Sequence, residues 1–128
     1  MESIRLTRDL TPFHVELEEA CKVDIFGLNY RQIRDRVRRG QYLAVNIEEQ
    51  AIAVLEIRTL KEGKSLSVVA IGGHAMPRWI GRLVTFLNDL AKDQGCTRVL
   101  AVGRKGWIKV LSRQGFSHRM TALTRVVQ

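Results

Sequence analysis

The sequence predicts one α/β (α+β) domain spanning residues 1–128, with a central mixed, mostly antiparallel sheet of about six strands flanked by about four helices. Three observations lead there. Residues 42–71 hold three short β-branched-rich segments separated by turn chemistry, the mark of an antiparallel meander. Residues 77–94 carry a wide apolar stripe at helical spacing. An apolar strand, residues 98–102, follows that helix, and a strand–helix–strand unit demands a parallel crossover.

Thr11 is placed to cap a helix with Pro12 at its first position, where a missing N–H costs nothing. Phe13, Leu17, Ala20 and Cys21 then recur at helical spacing, with Glu16, Glu18 and Glu19 outside. Gly27 breaks this helix. Asn29 caps a second one, whose stripe is Tyr30, Ile33 and Val37 and whose remaining surface is Arg31, Arg34, Arg36, Arg38 and Arg39, with Gly40 just past its end. The meander strands are residues 42–47, 51–57 and 66–71, joined by a Glu48-Glu49 turn and a hairpin loop containing Gly63. Gly72-Gly73-His74 leads to Pro77, and Trp79, Ile80, Leu83, Val84, Leu87, Leu90 and Ala91 form the inner face of the long helix, which Gly95 closes. Residues 104–114 read as a short helix with Trp107, Ile108 and Leu111 inward, ended by Gly115-Phe116, and residues 119–127 as a last strand.

Composition narrows the function classes. The net charge is +8, and all of it lies late in the chain: residues 1–76 balance, whereas residues 77–128 hold ten Lys/Arg against only Asp89 and Asp93. Such an excess favours an anionic partner: nucleic acid, an acidic protein surface or a phosphorylated ligand. The Arg31–Arg39 run can also contact phosphates, but the acidic helix before it balances its charge. Cys21 and Cys96 show no metal or redox spacing and read as two buried free thiols. His14, His74 and His118 form no metal-binding pattern, so no metal is expected. No apolar run approaches the roughly 20 residues a membrane span needs, and no signal-peptide pattern opens the chain.

The order of elements resembles the GNAT acetyltransferase superfamily, most closely over residues 66–116. There a strand ends in a phosphate-binding turn at the start of a long helix, and a strand, a short helix and a Gly-Phe pair follow. The resemblance implies acetyl-CoA as cofactor, its pyrophosphate held on backbone N–H groups at the helix start by a Gln/Arg-x-x-Gly-x-Gly/Ala turn. An anion sits well on unpaired amides at the positive end of a helix dipole, and glycines let it come close. The sequence departs from that pattern. In one register the key positions are Met76, Trp79 and Gly81, and in the next Ala75, Arg78 and Ile80. An indole or a guanidinium stem at such a position would fill the phosphate's space, and Pro77 removes an N–H from the cradle. Many members place a Tyr acid four residues before the Gly-Phe pair and begin the short helix with Asn; here those positions are Leu111 and Arg104.

No catalytic residue is therefore assigned, and no cofactor is expected. Small proteins with this architecture and an eroded cofactor site look like the degenerate GNAT-like proteins of tailed bacteriophages. That resemblance implies a non-catalytic structural, internal virion or interaction protein, in the virion or the host cytoplasm. Its basic C-terminal half would dock on a protein partner or DNA through Arg104, Lys105, Lys109 and Arg113. The rival reading is a working N-acetyltransferase that holds acetyl-CoA through Gly72, Gly73, Arg78 and Arg82, with water or His74 as acid; a third is a small inhibitor of a host enzyme. Among the other candidates, Glu56 can serve as a base from a central strand. Trp79 and Trp107 can offer an aromatic platform, although helix–sheet packing suits both. Tyr30 and Tyr42 read as packing residues.

Overall fold

The computed structural model describes residues 3–22, 27–61, 63–101 and 110–117. Its elements are β1 (Ile4–Thr7), a 3-10 turn (Thr11–Phe13), α1 (His14–Cys21), α2 (Tyr30–Arg38), β2 (Leu43–Ile47), β3 (Ala51–Leu60), β4 (Gly63–Gly73), α3 (Met76–Asp93) and β5 (Cys96–Ala101). The sheet runs in the order β1-β2-β3-β4-β5, antiparallel through β4 and parallel between β4 and β5. It thus has five strands among the described residues rather than about six; the expected strand at 119–127 and most of the expected helix at 104–114 lie outside them. Residues 110–112 are helical and end where Phe116 N–H bonds the Leu111 carbonyl.

Two apolar layers follow from strand alternation. Val45, Ile47, Ala51, Ala53, Leu55, Leu66 and Val68 face α3, meeting Trp79, Ile80, Leu83, Leu87 and Ala91. Ala44, Ile52 and Val54 face the other way, onto Leu17 of α1 and Ile33 and Val37 of α2. Each buried Leu or Ile removes enough apolar surface from water to contribute roughly 1.5–3 kcal/mol. β4 changes face part-way. Val54 pairs with Ala70 but Leu55 with Val68, so Val69 is an extra residue. The bulge puts both Val69 and Ala70 on the α1–α2 side and returns Ile71 to the α3 side.

Local chemistry explains the helix starts. At α2 the Asn29 side chain accepts the Gln32 N–H while the Gln32 side chain accepts the Asn29 N–H, both at 2.9 Å, a reciprocal capping box. The start of α1 differs from expectation. Thr11 is not the cap: its own N–H donates to Asp9 Oδ1 at 3.0 Å, and residues 11–13 form a 3-10 turn before the α-helix begins at His14. Asp9 holds the first exposed amide, and Pro12 then fits the tighter turn. Cys21 and Cys96 form no disulfide with each other and are half-buried rather than buried.

Candidate functional site

The junction of β4 and α3 is where this fold brings its sequence-predicted site residues together. Among the described residues β5 pairs with β4 from Lys64 to Val68, and residues 70–73 of β4 pair with β3. Gly72 and Gly73 end the strand, His74 and Ala75 turn the chain, and Pro77, Arg78, Gly81 and Arg82 lie on the first two turns of α3. Trp79 points inward instead, 1% exposed.

Both glycines are explained by close packing of backbone on backbone. A Cβ on Gly72 would lie 2.5 Å from the Glu16 carbonyl oxygen of α1. A Cβ on Gly73 would lie 2.4 Å from the Ala51 Cβ and 2.5 Å from the Gln50 carbonyl oxygen, and Gly73 has a φ of +143° that disfavours side chains. The space these residues leave open is therefore filled by α1 and by the β2–β3 hairpin. His74 N–H donates to the Gln50 carbonyl at 3.0 Å, tying the same hairpin to the junction.

The helix start is organised around Ala75 and Trp79. Ala75 is left-handed, with φ +59°, an uncommon state for a residue with a Cβ. Pro77 supplies no N–H, and the Arg78 N–H is engaged by the Ala75 carbonyl at 2.9 Å. The Trp79 indole is in the core with its N–H on the His74 carbonyl at 2.6 Å. This corrects the expectation that the indole would fill the phosphate's space: it serves as a core residue that locks the turn. Gly81 is exposed, and the nearest atom to a Cβ there is Gln114 Oε1 at 3.8 Å.

Arg82 is held by a group that sequence reasoning passed over. Its guanidinium grips both carboxylate oxygens of Glu48, with Nη2 to Oε1 at 2.7 Å and Nε on Oε2. Glu48 is almost fully buried at the tip of the β2–β3 hairpin. The hairpin closes with Gln50 N–H on the Ile47 carbonyl at 2.9 Å, and both central residues, Glu48 and Glu49, have positive φ. Turns whose two central residues both have positive φ usually place Asn or Gly there; a Glu pair was the one sequence signal that these side chains had another task. Glu49 takes Arg5 of β1 at 2.6 Å, and Arg5, followed by Asn46, holds its carboxyl below the usual value. Glu48 N–H donates to the Ser3 carbonyl at 2.8 Å. The tip thereby binds β1, β2 and α3 together.

The remaining candidates lie apart. His74 is largely exposed, with Glu16 Oε1 at 3.8 Å, beyond hydrogen-bond reach. Glu56 pairs with Arg58 on its own strand. Tyr30 stacks on His14 at 4.0 Å, and the Tyr42 hydroxyl accepts from Arg36 at 2.7 Å. Leu111 is buried against the α3 layer. Arg113 is exposed, while Arg104, Lys105, Trp107 and Lys109 lie outside the described residues. No group of three or more metal-binding side chains occurs among the described residues, and no described helix is long and apolar enough to cross a membrane.

No protein-family model matches the chain, and no curated protein matches it. Solved structures do. A Trypanosoma brucei acetyltransferase aligns at 14% identity and a TM-score of 0.62, over 99% of this chain and 100% of that one. Glucosamine-6-phosphate N-acetyltransferase from Arabidopsis thaliana aligns at 14% identity and 0.64, over 100% and 99%. A predicted acetyltransferase from Clostridium acetobutylicum, solved with acetyl-CoA, aligns at 15% identity and 0.65, over 98% and 96%. Likeness along the whole length at such low identity is a likeness of fold, and the fold is that of the GNAT acetyltransferases.

Proposed function

We propose that this GNAT-fold chain works as a binding module and does not transfer an acetyl group from acetyl-CoA. The observation that carries this reading is the use of the β4–α3 junction. Gly72 and Gly73 admit the backbones of Glu16, Gln50 and Ala51, and Arg82 is tied to Glu48. A pyrophosphate site needs amides and cations that point at the ligand; here Pro77 has no amide N–H and that of Arg78 is engaged. The partner we assign is anionic, met by the basic C-terminal half, including Arg104, Lys105, Lys109 and Arg113. A place in a phage particle is the finer form of the proposal and rests on the sequence resemblance alone.

Calorimetric titration of acetyl-CoA, with a thermal-shift control, tests the reading. No heat and no shift at millimolar ligand is the expected result. Binding at micromolar strength overturns it and restores the acyltransferase reading. In that case Gly72, Gly73, Arg78 and Arg82 are the residues to substitute next.

A further inference from the structure

We propose that the outer face of α2 is a docking surface for the phosphate backbone of nucleic acid, centred on Arg31, Arg38 and Arg39. It lies across the sheet from α3, because α2 packs Ile33 and Val37 into the layer opposite the one that receives Trp79. It is therefore separate from the β4–α3 junction and independent of whether acetyl-CoA binds.

At the level of sequence the arginine run looks neutralised by the acidic helix before it, but no α1 carboxylate forms an ion pair with an α2 arginine among the described residues. Two α1 carboxylates have partners within their own helix region, Glu18 with His14 at 2.6 Å and Glu19 with Lys22 at 2.8 Å, although Glu18 also lines a shallow pocket with Arg31. On α2 itself Asp35 meets only Arg34, at a long 3.4 Å, and Arg36 is held by the Tyr42 hydroxyl with its guanidinium 5.4 Å from the ring centre. Arg31, Arg38 and Arg39 are exposed and have no carboxylate partner among the described residues.

The chemistry of the face selects the partner. The cations of this helix are all arginines, whose planar forks match phosphate oxygens in pairs. From Arg31 to Arg38 the helix rises about 10 Å, a span that meets several phosphates of one duplex. A protein partner would call for an apolar centre within the patch, and a membrane for exposed apolar anchors. The apolar residues Ile33 and Val37 of α2 are buried in the core, so the exposed face offers charge without either.

The test is fluorescence anisotropy of a labelled mixed-sequence DNA duplex against the full chain, from 20 to 200 mM salt. Two charge-matched variants are compared: Arg31→Glu/Arg38→Glu/Arg39→Glu on this face, and Lys61→Glu/Lys64→Glu/Lys92→Glu on the β3–β4 hairpin and the last turn of α3. The wild type is expected to bind at low salt. The α2 variant is expected to lose at least about tenfold in affinity and roughly two to three units of log–log salt slope, since each lost phosphate contact removes about 0.9. The control is expected to lose less than about threefold with its slope kept. Should circular dichroism show the α2 variant unfolded, Arg31→Gln/Arg38→Gln/Arg39→Gln takes its place. Absence of wild-type binding at 20 mM salt, equal losses in both variants, or an unchanged slope would each overturn the proposal. So would tighter binding to poly-glutamate than to DNA, which would assign the face to an acidic protein.

Discussion

Arg82 on the second turn of α3 closes over the buried carboxylate of Glu48, joining the long helix to a hairpin tip 34 residues earlier in the chain. The pair is lopsided: the Glu48 side chain is 2% exposed and that of Arg82 is 58%. Removing the arginine leaves a buried charge with its main partner gone. Breaking a fully buried pair costs about 3–5 kcal/mol, and water beside Arg82 reduces that here. Arg82→Ala is expected to destabilise the fold by about 2–3 kcal/mol and lower the melting temperature by roughly 10 °C. Adding Glu48→Gln should recover part of the loss, because an amide needs no counter-charge. An unchanged melting temperature in Arg82→Ala would show that the contact is energetically idle.

The glycines at the junction separate by mechanism. Gly73→Ala must push a Cβ into the Ala51 and Gln50 backbone at a positive φ, and is expected to cost about 3 kcal/mol or more. Gly81→Ala lies in a helix with open space around it and is expected to stabilise by about 0.5–1 kcal/mol. Urea melts of the two variants read the contrast directly. Equal effects would mean that the packing at Gly73 yields more readily than its contacts imply.

The capping box at α2 gives a third prediction. Asn29→Ala removes the acceptor for the Gln32 N–H, with an expected cost of about 1 kcal/mol, while Asn29→Asp keeps it. The helix presents the arginine face, so Asn29→Ala is also expected to speed amide exchange over residues 30–38. Unaltered exchange would show that burial of Ile33 and Val37 alone holds the helix.

The Glu49 carboxyl lies below its usual value, chiefly through Arg5 and then Asn46. Because the folded value is depressed, the contribution of this group is present above the ordinary pKa of 4.5 and lost as pH falls through the folded value. Arg5→Gln is expected to raise the Glu49 pKa toward 4.5 in an NMR titration, with Asn46 retaining a smaller depression. An unmoved titration would assign the depression to Asn46.

Much of the fold was legible because its signals are local. The Asn29 cap, the stripe from Trp79 to Ala91 and the β-branched segments and turns of β2 and β3 each depend on residues near one another in sequence, and the strand–helix–strand order implied the parallel return of β5. The start of α1 was misread: Thr11 reads as its cap, but its N–H goes to Asp9 and the α-helix begins at His14 without a side-chain cap. The bulge at Val69 was invisible, since an extra residue in an apolar run leaves no mark until the strand is paired.

The sequence by itself determined the elements, their order and the departures from a glycine-rich phosphate turn, because periodicity, caps and residue identity are properties of neighbours. Tertiary structure alone decided what those departures are for. It buried the Trp79 indole, set Gly72 and Gly73 against other backbones, and joined Arg82 to Glu48. Each of these outcomes rests on two groups distant in sequence meeting at contact range. Charge counts and motifs hold no distances, so only the folded chain could choose each residue's partner.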